Sequence, residues 1–312
     1  MPTGVVIRLD SASCIVRYDG SDVRCPLPGK WRLSRRTQTG PIAVGDRVDV
    51  LLQPNGEGLL RGVEPRQGGK LSRRAAGERD VEQVVAANVD QLVAVAAAAD
   101  PPLNRGLLDR LLVSAERGEL DVVVCLNKID LAGGADFAGL LDGYRRLGYR
   151  ALATSALTGS GVEELRQALK DRTSVLAGAS GVGKSALLMA VQPGLELRVG
   201  EVSAATGKGR HTTSAVSLLP LEAGGYVVDT PGVREFALYA VERDELGQCF
   251  PEMRALFGQC RFGNCSHLHE PGCAIVAAVQ GGGIDPARYE SYCRIYESLP
   301  APDPARRNRN HE

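Results

Sequence analysis

The stretch Gly178-Ala179-Ser180-Gly181-Val182-Gly183-Lys184-Ser185 decides how the rest of the chain is read. It satisfies G-x-x-x-x-G-K-[ST] at every fixed position. Ser174–Ala177 before it reads as a short buried strand, and Ala186–Val191 after it as a helix. In that setting the glycines let backbone N–H groups turn around an anion, and the helix N-terminus adds partial positive charge. Lys184 is expected to reach the β- and γ-phosphates, and the Ser185 hydroxyl to bind Mg²⁺. The loop and Ala186 form the candidate phosphate cradle. Alone, they do not separate ATP from GTP, or a kinase from a hydrolase.

Working outward, residues 86–240 alternate apolar strands with helical stretches. Leu92–Ala99, Asp121–Leu126 and Ala151–Ala153 read as strands. Leu107–Arg117, Leu140–Leu147 and Val162–Leu169 read as helices. Continuous apolar strands suit a parallel sheet covered on both faces, so the expectation is a doubly wound α/β domain. The strand Asp121–Leu126 runs into Asn127-Lys128-Ile129-Asp130, an N-K-x-D sequence. A carboxylate at Asp130 can accept from guanine N1–H and from its 2-amino group, a donor pair that adenine lacks. Asn127 is expected to tie this loop to the phosphate loop, and the Lys128 stem to cover the base. Thr154-Ser155-Ala156 ends the next strand, where small residues let a backbone N–H approach guanine O6.

After the phosphate loop, Tyr226–Asp229 leads into Asp229-Thr230-Pro231-Gly232, a D-x-x-G sequence. Asp229 is a candidate for Mg²⁺ through water, and Gly232 N–H for the γ-phosphate. Between them, His211, Thr212 and Thr213 lie in a Gly-rich polar segment. One threonine there would complete the Mg²⁺ shell only while the γ-phosphate is present, an order–disorder switch. The base-reading elements precede the phosphate elements in the chain. That order marks a circular permutation, which nearby domain termini permit.

The flanks carry different chemistry. Residues 1–66 hold five short β-type runs separated by turn signals, the pattern of a small oligonucleotide/oligosaccharide-binding (OB) barrel. Residues 1–74 carry thirteen Lys and Arg against seven Asp and Glu, although the whole chain balances at 37 of each. Lys30, Trp31, Arg32, Arg35 and Arg36 gather positive charge around an aromatic ring, as RNA binding requires. Residues 67–85 read as a linker, because Gly68-Gly69 is followed by charged and small residues. In residues 241–312, Cys260, Cys265, His267 and Cys273 supply three thiols and an imidazole within fourteen positions, a donor set for structural, tetrahedral Zn²⁺. His269 competes for the imidazole position. Helices are expected around Val241–Phe257 and Pro286–Leu299, followed by a basic tail. Eight cysteines in a chain of this length do not make a secreted disulfide framework. With no signal peptide or membrane-length apolar run, the expectation is a cytoplasmic protein. No oligomeric signal appears, and a monomer is expected.

The combination of OB barrel, permuted nucleotide domain carrying these motifs, and zinc region resembles the ribosome small-subunit-dependent GTPase A (RsgA/YjeQ) family across essentially the whole chain. The resemblance implies GTP hydrolysis to GDP, stimulated by the 30S subunit, in late maturation of that subunit. It further implies 16S rRNA gripped by the barrel and zinc region, and His267 as the imidazole ligand. Many GTPases place Gln after the D-x-x-G glycine to orient water; here Val233 stands there. His211 is the substitute candidate, as in that family. Val233 also keeps a second reading open, a GTP-binding RNA scaffold with negligible hydrolysis.

Overall fold

A computed structural model describes residues 3–10, 12–31, 40–74, 82–133, 137–195, 216–229 and 241–300. The first five strands are β1 (Thr3–Leu9), β2 (Ser13–Tyr18), β3 (Ser21–Pro26), β4 (Arg47–Leu52) and β5 (Gly58–Val63). Asp19 and Gly20 both take positive φ, the geometry that turns β2 tightly into β3. The strands run in the order β3-β2-β1-β4-β5 and curl until β5 lies against β3. Gly58 permits that close approach, since a Cβ there would lie 2.5 Å from Cys25 Sγ. Val6, Val16, Val48, Val50 and Leu60 fill the interior.

The stretch expected as a linker instead pairs as a hairpin. It consists of β6 (Gly69–Arg74) and β7 (Glu82–Val89) in antiparallel register. Its fastening to the barrel is non-local, through a parallel bridge from Val44 to Ala86 and an Asn88 Nδ2 bond to Gly45 O at 2.9 Å. Composition alone carries no trace of such contacts.

The central sheet adds β8 (Gln91–Ala97), β9 (Asp121–Asn127), β10 (Arg150–Ala153), β11 (Arg172–Ala177), β12 (Ser217–Pro220) and β13 (Gly225–Asp229). Their order is β10-β9-β8-β11-β13-β12, parallel except for β12. The helices are α1 (Arg105–Arg117), α2 (Ala138–Arg146), α3 (Val162–Leu169) and α4 (Lys184–Val191). Strand residues alternate between two cores, as pleating requires. Leu92, Ala94, Val122 and Val124 face α1 and α2, whereas Val93, Val95, Val123 and Cys125 face α3 and α4. This is the expected doubly wound domain. The edge strand β12 pairs with β1 at Ser217 and Arg8, so barrel and central sheet join into one eleven-stranded sheet.

The C-terminal unit has a 3-10 turn (Leu246–Cys249), α5 (Pro251–Arg254), α6 (Ala274–Gln280) and α7 (Pro286–Ser298). The single helix expected over Val241–Phe257 is broken. Phe250 is extended and Pro251 starts the short α5, because proline cannot continue a preceding helix. Phe250, Met253, Ile275, Tyr292 and Ile295 form the unit's core, which also takes in Val113 of α1.

Candidate functional site

Three loops meet at the carboxyl edge of the parallel strands. Asn127, the last residue of β9, is buried and bonds both neighbouring loops. Its Nδ2 donates to Val182 O of the phosphate loop at 2.8 Å. Its Oδ1 accepts from Ala156 N at 3.2 Å and from Thr154 Oγ1 at 3.3 Å. One amide therefore holds the base loop, the Thr154–Ala156 loop and the phosphate loop together. Gly183 takes φ +93, and a Cβ there would fall 2.4 Å from Asn127 Nδ2, so both backbone and space demand glycine.

Lys128 adopts the left-handed conformation, and its ammonium donates to Asp100 O. Asp130 is exposed, and its Oδ1 accepts from the buried Ser155 hydroxyl at 2.5 Å. Ser155 Oγ also accepts from Thr158 N at 3.1 Å, so the hydroxyl proton is aimed at the carboxylate. The second Asp130 oxygen has no hydrogen bond among the described residues. In the phosphate loop, Lys184 Nζ donates to Gly178 O at 2.9 Å and Ala179 O at 2.8 Å. The ammonium thus lies over the loop backbone. Ser180, Gly181, Ser185 and Ala186 are exposed around it.

Replacing Asn127 with alanine removes the amide that bridges the loops. Its stranded buried partners are expected to cost about 1–3 kcal/mol. Thermal unfolding without nucleotide measures this; an unchanged midpoint would show that the bridge contributes nothing.

Other expected site residues divide by location. The side chains of Lys30 and Asp229, and all of Arg32, Arg35, Arg36, His211, Thr212, Thr213 and Gly232, lie outside the described part of the structure. Trp31 is half-buried and packs against the barrel core, so part of its ring serves the fold.

The zinc donors converge. The ligand atoms of Cys260, Cys265, His267 and Cys273 all lie within 4.8 Å of one another. His267 Nδ1 is 3.5 Å from both Cys260 Sγ and Cys273 Sγ, and those sulfurs are 3.9 Å apart. Tetrahedral Zn²⁺ with Zn–S of about 2.3 Å and Zn–N of about 2.0 Å places sulfurs about 3.8 Å apart, and sulfur and nitrogen about 3.5 Å apart. The donor set therefore fits zinc, and the 3.9 Å separation rules out an S–S bond between Cys260 and Cys273. Burial pushes the Cys265 thiol up to about 12, so a cation is needed to make it a thiolate. Burial lowers His267, keeping its imidazole neutral for ligation. His269 is exposed and outside the cluster.

Sequence reasoning missed the supports of this centre. Glu270 accepts from Ser266 N at 2.8 Å, Ser266 Oγ at 2.5 Å, and Leu268 N and His269 N at 3.2 Å. Burial opposes its charge, but these donors outweigh burial and hold the carboxyl at about 2. Tyr289 and Tyr292 donate at 2.8 Å to His267 O and Ser266 O. A carboxylate five residues from Cys265 was the only signal available in the sequence.

The RsgA GTPase family model matches residues 63–239, the span that holds all three loops. The chain belongs to the RsgA GTPase family. As an RsgA GTPase it hydrolyses GTP. The small ribosomal subunit biogenesis GTPase RsgA of Chlorobaculum tepidum is 42% identical, over 95% of this chain and 98% of the relative. The protein of the same description from Moorella thermoacetica is 42% identical, over 93% and 94%. Among solved structures, YjeQ from Thermotoga maritima superposes with a TM-score of 0.77 at 36% identity, over 96% of this chain and 98% of that one. YloQ, described as a circularly permuted GTPase, gives 0.72 at 30% identity, over 97% of each chain. The described residues contain no helix long and apolar enough to cross a membrane.

Proposed function

We propose that this RsgA GTPase acts in biogenesis of the small ribosomal subunit. Its hydrolysis is stimulated by the 30S particle, and the OB barrel and zinc unit hold 16S rRNA. The observation that carries the nucleotide part is the Asn127 bridge. It brings the loop carrying Asp130 and the Gly178–Ser185 loop to one sheet edge, which supports a guanine-reading carboxylate beside a phosphate cradle. The naming of relatives matched over 94% and 98% of their length as small ribosomal subunit biogenesis GTPases supports the partner.

In this reading Asp130 accepts from the guanine edge, while Ser155 fixes which carboxylate oxygen remains open. Gly178–Gly183 offer backbone N–H groups to the phosphates. Lys184 exchanges its two loop carbonyls for the β- and γ-phosphates. Ser185, Asp229 and Thr212 or Thr213 would hold Mg²⁺, which supplies charge neutralisation to the transferring phosphoryl group. Val233 offers no group to orient water. His211 takes that task by accepting a hydrogen bond from the attacking water.

Multiple-turnover phosphate release, measured alone and with 30S, 50S or 70S particles, tests the reading. Acceleration by 30S is the expected result. The same negligible turnover under every condition would favour a GTP-binding scaffold. His211→Ala is expected to lower stimulated turnover by about 10²–10⁴ and to spare GTP affinity. Undiminished stimulated turnover would remove His211 from the mechanism.

A further inference from the structure

The tip of the zinc unit presents an aromatic ring that the fold does not use. Phe262 is 42% exposed, more than any other aromatic side chain among the described residues. It lies between the ligands Cys260 and Cys265, in a tip where Arg261, Phe262, Gly263 and Asn264 are all exposed. The backbone beneath it is pinned. Arg261 N donates to Gly272 O at 3.0 Å, and Cys265 N to Phe262 O at 3.3 Å. The Arg261 guanidinium stacks over the ring, 5.5 Å from its centroid. Arg261 is also the sole charged residue in 259–265.

We propose that the Arg261–Phe262 pair is a stacking platform for one unpaired RNA base, with Arg261 pairing the adjoining phosphate. Burying an exposed aromatic against a base face gains stacking without sequence readout, and a neighbouring guanidinium suits the backbone. A loop closed at both ends by ligands of one metal site loses little further entropy when a base docks. An apolar protein pocket would accept the same ring, but it gives no role to the stacked guanidinium. This inference rests on the small-subunit reading above.

The test uses full-length, zinc-loaded protein and two probes, purified 30S subunits and deproteinised 16S rRNA. Phe262→Ala and Phe262→Leu are each expected to weaken binding to both probes about tenfold, whereas Phe262→Tyr stays within about twofold of the parent. Planarity is the discriminating property. Arg261→Gln should lower the salt dependence of 16S rRNA binding by about 0.7 of a log–log unit. Zinc content of one per chain and an unchanged melting profile verify that the variants fold. If Phe262→Leu binds as well as the parent, or if only the 30S probe responds, the ring meets protein and the proposal is overturned. If the parent binds neither probe, the small-subunit reading fails first and this inference falls with it.

Discussion

Cys273→Ser is expected to abolish zinc binding and unfold the C-terminal unit. Cys273 is buried, its sulfur joins the four-donor cluster, and it accepts from Val276 N at 3.5 Å to cap α6. The same side chain lines the core with Ile275, Tyr292 and Met253. Structural zinc in small metallo-domains contributes on the order of 10–16 kcal/mol, far above the stability of a typical domain. Without the ion the thiols and imidazole remain as buried polar groups, and the ordering cost of residues 259–274 has nothing to offset it. Metal analysis should show one zinc per chain in the parent and none in the variant. Limited proteolysis should then cut within 241–300. A variant that keeps stoichiometric zinc and resists protease to the same degree would contradict the assignment.

Arg288→Ala is expected to destabilise the chain by about 3–5 kcal/mol, because it strands two buried carboxylates. Arg288 Nη1 donates to Asp109 Oδ1 at 2.5 Å, and its Nε to Glu252 Oε1 at 2.8 Å. The three side chains are 6%, 1% and 7% exposed. Burial opposes the guanidinium charge, but Asp109 and Glu252 outweigh it and keep Arg288 protonated. The Tyr144 hydroxyl, from α2, donates to the same Asp109 oxygen at 3.0 Å. This network fastens α7 and α5 onto α1 and α2, so its loss should loosen the zinc unit from the nucleotide domain. Calorimetry should show a midpoint lower by on the order of 10 °C. The triple variant Asp109→Asn, Glu252→Gln, Arg288→Met should recover most of the loss, since it removes the buried charges together. A midpoint for Arg288→Ala within a degree of the parent would mean that the network is solvated.

The candidate nucleotide and metal groups were legible in the chain because each motif is local. Gly178–Ser185, Asn127–Asp130 and the Cys260–Cys273 cluster each need particular residue types within a few positions. The apolar runs of β8 and β9 likewise announced a sheet covered on both faces. What stayed hidden depends on distant partners. The hairpin β6–β7 read as a linker because its β7 strand is fastened to Val44 and Gly45, far back in the chain. The strand β12 drew no notice, as its four residues are held only by β13 and β1. The ion-pair partner of Asp109, Arg288 of α7, lies 179 positions further along the chain.

The residues alone thus determined which groups exist for binding a guanine nucleotide and a metal, since phosphate, base edge and zinc each accept few donor geometries. Only the tertiary structure decided that the Asn127–Asp130 and Gly178–Ser185 loops meet at one sheet edge, and that the barrel, sheet and C-terminal unit are fastened together. The Asn127 amide, the strand pair between β1 and β12, and the buried Arg288 guanidinium are among those joins. Each works through partners brought together by folding, which a linear pattern does not record.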